Sequence, residues 1–329
     1  AGVRQHLAER SSLRSLWLAG EHAFAASVYA CSLVLEKGCS ERVRCRVAGG
    51  LSFEEAKPVE VERSALAEAR TWAHLAAGLA GVPDVAFEAA GALGDRAAVT
   101  ADFRDEYYAL REVLVEAHRR AAGGRLIKVV TTGLIDPAQC AWGERPVRLF
   151  REVWQAPVLD VGERSADSPL VRWLGRRLRP KILLATQTRV LEVAVDAEGT
   201  WAPVTPLISI VPTEPEELWR LAAALASPVA SMWAMRHYAG AALHADAIKL
   251  AAADVRRVPL PAGGSVWDAA AEAFRRASEA AEGGERREHL MRSAELSLEA
   301  YGVAVDERPA LLRWWGDRLP RSQVPTKRA

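Results

Sequence analysis

The sequence predicts a chain of mixed class: an α/β piece first, an α+β domain after it, and a helical hairpin at the end. Three observations lead there. Apolar runs of strand length lie between Leu13 and Val47, and a second set lies between Leu126 and Val211. From Ser265 onward the apolar residues recur only at helical spacing.

At 329 residues, of which 50% are hydrophobic, the chain is long enough for about two domains with real cores. Its formal net charge is +1. No global field therefore marks a nucleic-acid partner, and any electrostatic footprint has to be local. Cys31, Cys39, Cys45 and Cys140 are irregularly spaced, with no CxxC pair and no companion histidines. They read as free thiols of a reducing cytoplasm, and no metal is expected. No signal peptide is visible and no apolar run reaches the roughly 20 residues that cross a bilayer. A cytoplasmic protein without a membrane partner is the expectation.

Val3 to Arg10 reads as the end of a helix, Leu13 to Ala19 as a strand, and Val28 to Leu35 as a second strand closed by Glu36-Lys37-Gly38. Arg42 to Val47 alternates charged and apolar residues, as a strand with one wet face does. Its arginines suit either a phosphate contact or an exposed edge protected by charge. Ser64 to Leu79 is an Ala-rich helix pattern ended by Gly81-Val82-Pro83, and Asp102 to Arg120 is a second one broken by Gly123-Gly124. Leu126 begins a strand that runs into Thr131-Thr132-Gly133 and Asp136-Pro137 turn signals, with Trp142 beyond.

The local basic signal lies between Arg164 and Arg189. Arg172, Arg176, Arg177, Arg179, Lys181 and Arg189 outnumber the acids there, and Arg172 and Arg176 are spaced to share one helical face. A solvated surface explains such a run, and so does a patch that neutralises DNA phosphates. Ile182 to Ala185, Val190 to Asp196 and Leu207 to Val211 are apolar runs of strand length, with Ala197-Glu198-Gly199 as hairpin turn chemistry. Thr213 and Glu216 have capping-box spacing, and Leu218, Leu221, Ala222 and Leu225 then share a face until Ser227-Pro228. Met232, Trp233 and Met235 read as core. Val266 to Glu282 and Glu285 to Ala300 are amphipathic helices separated by Gly283-Gly284, and Ala310 to Arg318 is a last one. The Lys327-Arg328 end reads as disordered.

The wording of KILLATQTRVLEVAVD, then LISIVPTEPEELWRLAAALASPVASMW, then HADAIKLAAADVRRVPLP, from Lys181 to Pro261, carries a resemblance. It resembles the target-recognition region of N6-adenine DNA methyltransferases of the TaqI-like kind. In that family a "pKIl" strand, a hairpin, a helix ending "aLaS" and a "lPlP" close come in the same order. LIKVVTTGLIDPAQCAW is similar to the phrase that begins the family's recognition domain. The first helix and strands are similar to the end of its catalytic sheet.

This resemblance implies an α/β remnant of a methyltransferase sheet, followed by an α+β target-recognition domain and a C-terminal helical hairpin. The implied bounds are 1–60 for the end of the catalytic domain, 61–124 for a helical connector, 125–262 for target recognition and 263–329 for the helical tail. Methyl transfer from S-adenosylmethionine requires a glycine turn under the cofactor and an (N/D/S)PP(Y/F) motif at the flipped adenine. Neither occurs here: Asp136-Pro137 is followed by Ala138, Ser168-Pro169 by Leu170 and Ser227-Pro228 by Val229. No catalytic and no cofactor-binding residue is therefore assigned. Because the chain begins with Ala1, the expectation is a fragment or split subunit whose missing N-terminal part, or a partner chain, binds S-adenosylmethionine.

The expected DNA contacts are Arg172, Arg176, Arg177, Arg179, Lys181, Thr186, Gln187, Arg189 and Lys249, with double-stranded DNA as partner. Arg256-Arg257, Thr131, Thr132 and Trp142 are weaker candidates, and Trp142 reads rather as an anchor. The flipped-base pocket falls on Phe24, Tyr29 and Leu35, although aromatics in strands also serve ordinary packing. A non-enzymatic DNA-specificity subunit of a restriction-modification or phage-defence complex, and a helical interaction protein, are the alternative readings.

Overall fold

Helix α1 (Gly2–Arg10) runs without a loop into strand β1 (Ser11–Leu18), which is followed by β2 (Cys31–Lys37), β3 (Arg42–Gly49) and β4 (Glu54–Glu62). In the computed structural model the described residues are 2–19, 30–69, 72–101, 107–119, 126–162, 164–165, 167–238 and 247–320. The four strands form one sheet in the order β2-β1-β3-β4, with β1 and β3 parallel and the other pairs antiparallel. The alternation in β3 is real: Val43, Cys45 and Val47 are buried while Arg42, Arg44 and Arg46 are exposed. Arg42 pairs with Glu62, and Arg44 stands opposite Glu60. Cross-strand charge pairing thus occupies the wet face.

The Ala-rich stretch after β4 is not one helix. It breaks into α2 (Arg63–Glu68), α3 (Ala73–Ala76) and a 3-10 turn, Ala77–Ala80, that ends at Gly81 with φ 61°. Leu66 and Trp72 both join the N-terminal core, and Trp72 donates its indole N–H to the Leu66 carbonyl. On a straight helix at 3.6 residues per turn they would lie about 120° apart around the axis. The extended Ala69 lets both face the sheet.

The second expected helix also shortens. Among the described residues its α-helical part is α4 (Tyr107–Val113), β6 (Leu114–Glu116) follows at once with a 3-10 turn, Ala117–Arg119, after it, and β5 (Ala97–Ala101) precedes it. Between them, β5 and β6 give an edge strand to each of two further sheets. The first has the order β15-β7-β12-β6, built from β15 (Trp201–Pro203), β7 (Leu126–Val130) and β12 (Pro157–Asp160). The second, β14-β13-β16-β5, contains β13 (Lys181–Leu184), β14 (Val193–Asp196) and β16 (Ile208–Pro212) and is antiparallel throughout. Two-stranded pairs β8 (Ile135–Asp136) with β9 (Gln139–Cys140), and β10 (Val147–Leu149) with β11 (Glu152–Trp154), sit between β7 and β12 in the chain.

Strand β13 is buried on both sides, which is why its run is continuously apolar. Ile182 and Leu184 point into a core shared with α6 (Leu218–Ala226) and α7 (Pro228–Tyr238), whereas Leu183 packs with Ile127 and Val129 of the other sheet. The layers are therefore helices, sheet, sheet. The short helix α5 (Pro169–Arg177) connects β12 to β13, α8 (Ala252–Val255) lies between the isolated bridges of Ile248 and Pro259, and α9 (Ser265–Glu279), α10 (Gly283–Ala300) and α11 (Arg308–Gly316) close the helical layer. Phe274, Leu298 and Trp315 are among its fully buried side chains, and so are Met232 and Met235 of α7.

Three local expectations are corrected. Ala197-Glu198-Gly199 does not turn a hairpin: β13 and β14 pair through residues 185–192, and the Gly199 turn instead passes the chain to β15 in the other sheet. Thr213 does not cap α6. Its N–H goes to the Arg96 carbonyl, and the helix starts through a 3-10 turn, Pro215–Glu217, because Pro215 suits a first helical turn. Gly283 and Gly284 form the first turn of α10, so the break falls at 280–282. Ser227-Pro228 does end α6, and it also starts α7, with the Ser227 hydroxyl accepting the Ala230 N–H at 3.0 Å. Lys327 and Arg328 lie outside the described residues.

Candidate nucleic-acid interface

The β13–β14 hairpin closes where the Ala185 N–H bonds the Glu192 carbonyl, leaving a loop at 186–191. Thr186 is buried and committed to structure. Its N–H goes to the Thr132 hydroxyl at 3.2 Å, and its own hydroxyl donates to the Pro206 carbonyl at 2.8 Å. Gln187 is exposed with φ 92°, a conformation that costs a non-glycine residue about 1–3 kcal/mol. Its N–H bonds the Ile248 carbonyl at 3.1 Å, and Ile248 bonds back to the Thr188 carbonyl at 2.7 Å. The clamp on both sides holds the strain. It also sets Lys249, exposed and unpaired among the described residues, beside Gln187 and the exposed, engaged Arg189.

Helix α5 presents the other basic residues. Ser168 caps it, accepting the Val171 N–H at 3.2 Å, and Pro169 opens the first turn. Leu170, Trp173 and Leu174 are buried, so Arg172 and Arg176 share the outer face and meet no carboxylate among the described residues. Arg177 is half-buried with its guanidinium 5.6 Å from the Trp173 ring centre. Arg179 donates to the Arg176 carbonyl at 2.9 Å. Cations at this end also complement the helix dipole, so Arg177 and Arg179 have a structural use of their own.

Lys181 is a correction. It is fully buried, and its ammonium pairs with Asp196, which stands directly opposite it on β14. Asp196 further accepts the N–H groups of Thr200 at 3.0 Å and Trp201 at 2.9 Å. A lysine with no exposed surface cannot meet a phosphate, and this one fastens the crossing from one sheet to the other. The basic run is thereby split: the end of α5 lies at one end of β13 and Gln187 lies past the other. A four-residue strand puts at least about 10 Å between them.

Other candidates also turn inward. Thr131 is buried, its hydroxyl donating to the Thr205 carbonyl at 3.3 Å; Thr132 supports the loop as described. Trp142 donates its indole N–H to the Pro157 carbonyl at 2.9 Å, and the Lys128 ammonium lies 4.8 Å from its ring centre. Arg256 donates to the Val99 carbonyl at 2.8 Å, while Arg257 stays exposed. Phe24 and Tyr29 lie outside the described residues. Leu35 is half-buried opposite Leu13 and packs on the N-terminal core, which gives it an ordinary sheet role.

Sequence reasoning missed two features. Glu192, half-buried at the foot of the loop, has its carboxyl pushed up to about 8, first by burial and then by the Asp136 carboxylate; Arg145 partly offsets this while pairing with Asp136. Nothing in its neighbours along the chain signals this, because Asp136 arrives from another sheet. The second is the β10–β11 ribbon, whose two-residue turn, Phe150-Arg151, has φ 51° and 71°. Its alternation in VRLFREVW was visible, but the Asn-Gly or Asp-Gly turn that marks such hairpins is absent. Burial pushes the thiols of Cys45 and Cys140 up to about 11, which leaves them unreactive.

Among the described residues no cluster of three or more His, Cys, Asp or Glu is placed to hold a metal ion, and no helix is long and apolar enough to cross a membrane. No family model matches the sequence. No curated protein matches it either. Among solved structures, the type IIG restriction endonuclease BpuSI is similar over 91% of this chain and 45% of its own, at 10% identity and a TM-score of 0.38. The chain thus spans less than half the length of that protein. The score is too low to assign a common fold.

Proposed function

We propose that this chain is the DNA-recognising, C-terminal part of a site-specific DNA adenine N6-methyltransferase of the restriction-modification kind. In this reading methyl transfer from S-adenosylmethionine belongs to another part of the polypeptide or to a partner chain. The observation that carries the reading is Gln187. An amide side chain able to pair with a base edge is held out on a strained backbone, clamped by Thr132 and Ile248, with Arg189 and Lys249 beside it. The ordered resemblance from Lys181 to Pro261 supports the same reading. The outer face of α5 adds Arg172 and Arg176, which read as backbone contacts that position the duplex and carry no sequence information.

Duplex binding measured against salt tests this. Each neutralised phosphate contributes about −0.9 to the slope of log K against log salt. Arg172→Ala/Arg176→Ala should make that slope shallower by about 1.8 without changing the melting temperature, since both side chains are exposed. Wild-type binding that ignores salt would sink the reading; an unchanged slope in the double variant would remove α5 from the interface.

A further inference from the structure

The β10–β11 ribbon stands on a rigid base. The buried Glu116 carboxylate accepts the N–H groups of Gln155 at 2.7 Å and Ala156 at 2.9 Å, just where the ribbon returns to β12. Pairing is Val147 with Trp154, Arg148 with Val153 and Leu149 with Glu152. Because side chains alternate, Val147 and Leu149 turn to the core while Arg148 and Val153 share the outer face. Val153 is 73% exposed, and neither Arg148 nor Arg151 at the tip meets a carboxylate among the described residues. An exposed guanidinium therefore stands directly beside an exposed aliphatic side chain on the outer face.

The ribbon is also joined to the loop that carries Gln187. A methyl of Val147 lies 3.7 Å from where a Cβ on Gly133 would stand, and Arg145 donates to the Gly133 carbonyl at 3.0 Å. The neighbouring Thr132 holds Thr186, and Gln187 is next in the chain. The reading loop and the ribbon therefore share one support, the turn at Thr132–Leu134.

We propose that the β10–β11 ribbon is a second DNA-reading element that enters the major groove, with Arg148 at a base edge, Val153 against it and Arg151 on phosphate. Two strands about 4.8 Å apart fit a major groove about 12 Å wide. Arginine reads guanine there through two parallel hydrogen bonds, and an aliphatic side chain meets the thymine methyl. This rests on the DNA-recognition reading above.

The test uses the full chain and a pool of randomised duplex oligonucleotides, from which the preferred site is selected and sequenced. Arg148→Ala is expected to relax that site at one or two adjacent positions, weakening binding to it roughly 5- to 160-fold. Arg148→Lys, which keeps the charge but loses the planar fork, should relax the same positions. Arg151→Ala should leave the site unchanged and make the salt slope shallower by about 0.9. If the wild type binds duplex and Arg148→Ala selects the same site as the wild type, or loses affinity equally for all sequences, the groove assignment is overturned and the recognition reading survives. If the wild type shows no salt-dependent binding to any duplex, both fall together. Unchanged melting of the variants separates these outcomes from unfolding.

Discussion

Replacing Lys181 by methionine decides between its two roles. Met fills nearly the same volume without the charge, so Asp196 is left buried, with a side chain 1% exposed and only the Thr200 and Trp201 N–H groups to serve it. Removing one partner of a buried ion pair costs about 3–5 kcal/mol, because the remaining charge is uncompensated. At about 2.1 cal/mol/K per residue, 329 residues have an unfolding entropy of roughly 0.7 kcal/mol/K. The melting temperature should then fall by about 4–7 °C if the chain unfolds as one unit. Thermal unfolding by circular dichroism measures this, and duplex binding well below the transition supplies the second readout. The salt slope should not move. A variant that keeps its melting temperature while its slope becomes shallower by about 0.9 would refute the buried-pair assignment and restore Lys181 as a phosphate contact.

Glu192→Gln probes the foot of the 186–191 loop. The folded carboxyl holds its proton up to about pH 8, whereas the unfolded one releases it near its ordinary value of 4.5, so the folded form binds more protons between these values. Rising pH therefore favours unfolding, and the wild type should lose stability across that window by at most about 1.4 kcal/mol per pH unit. Melting of the Gln variant should be flatter over the same range; parallel curves would argue against a protonated Glu192. Gly199→Ala is expected to destabilise by about 2 kcal/mol or more, since a Cβ there would lie 2.5 Å from the Arg179 backbone at φ 69°. Urea unfolding checks it, and a neutral result would mean that the turn does not pack on Arg179.

Much of the fold was legible because its signals are local. The helical period from Ser265 onward yields α9, α10 and α11, and the apolar runs at Ile182, Val190 and Leu207 overlap β13, β14 and β16. Other elements were not legible because neighbours in space override propensity. The Ser64 to Leu79 pattern is intrinsically helical, yet Trp72 and Leu66 both have to reach one sheet, and the helix breaks to allow it. Leu114 to Glu116 carries a helical pattern too, but it lies beside β12 and pairs as a strand. In the candidate site, exposure could not be read from residue type. Arg172, Arg176, Gln187, Arg189 and Lys249 are exposed, whereas Thr186 and Lys181 of the same stretch are consumed by structure.

By itself the sequence determined that the chain mixes strands with helices, the order of most of those segments and the concentration of positive charge ahead of β13. Those follow from composition and from periods of two and 3.6 residues, which need no partner from elsewhere in the chain. Only the tertiary structure decided which of these charges reach solvent. Strand register sets Lys181 against Asp196 and takes it out of solvent. The direction of β13 then carries Arg172 and Arg176 to one end and Gln187 past the other, and a turn from a different sheet joins Gln187 to a ribbon bearing Arg148. Pairing across sheets brings together residues far apart in the chain, and no pattern read along one strand contains that information.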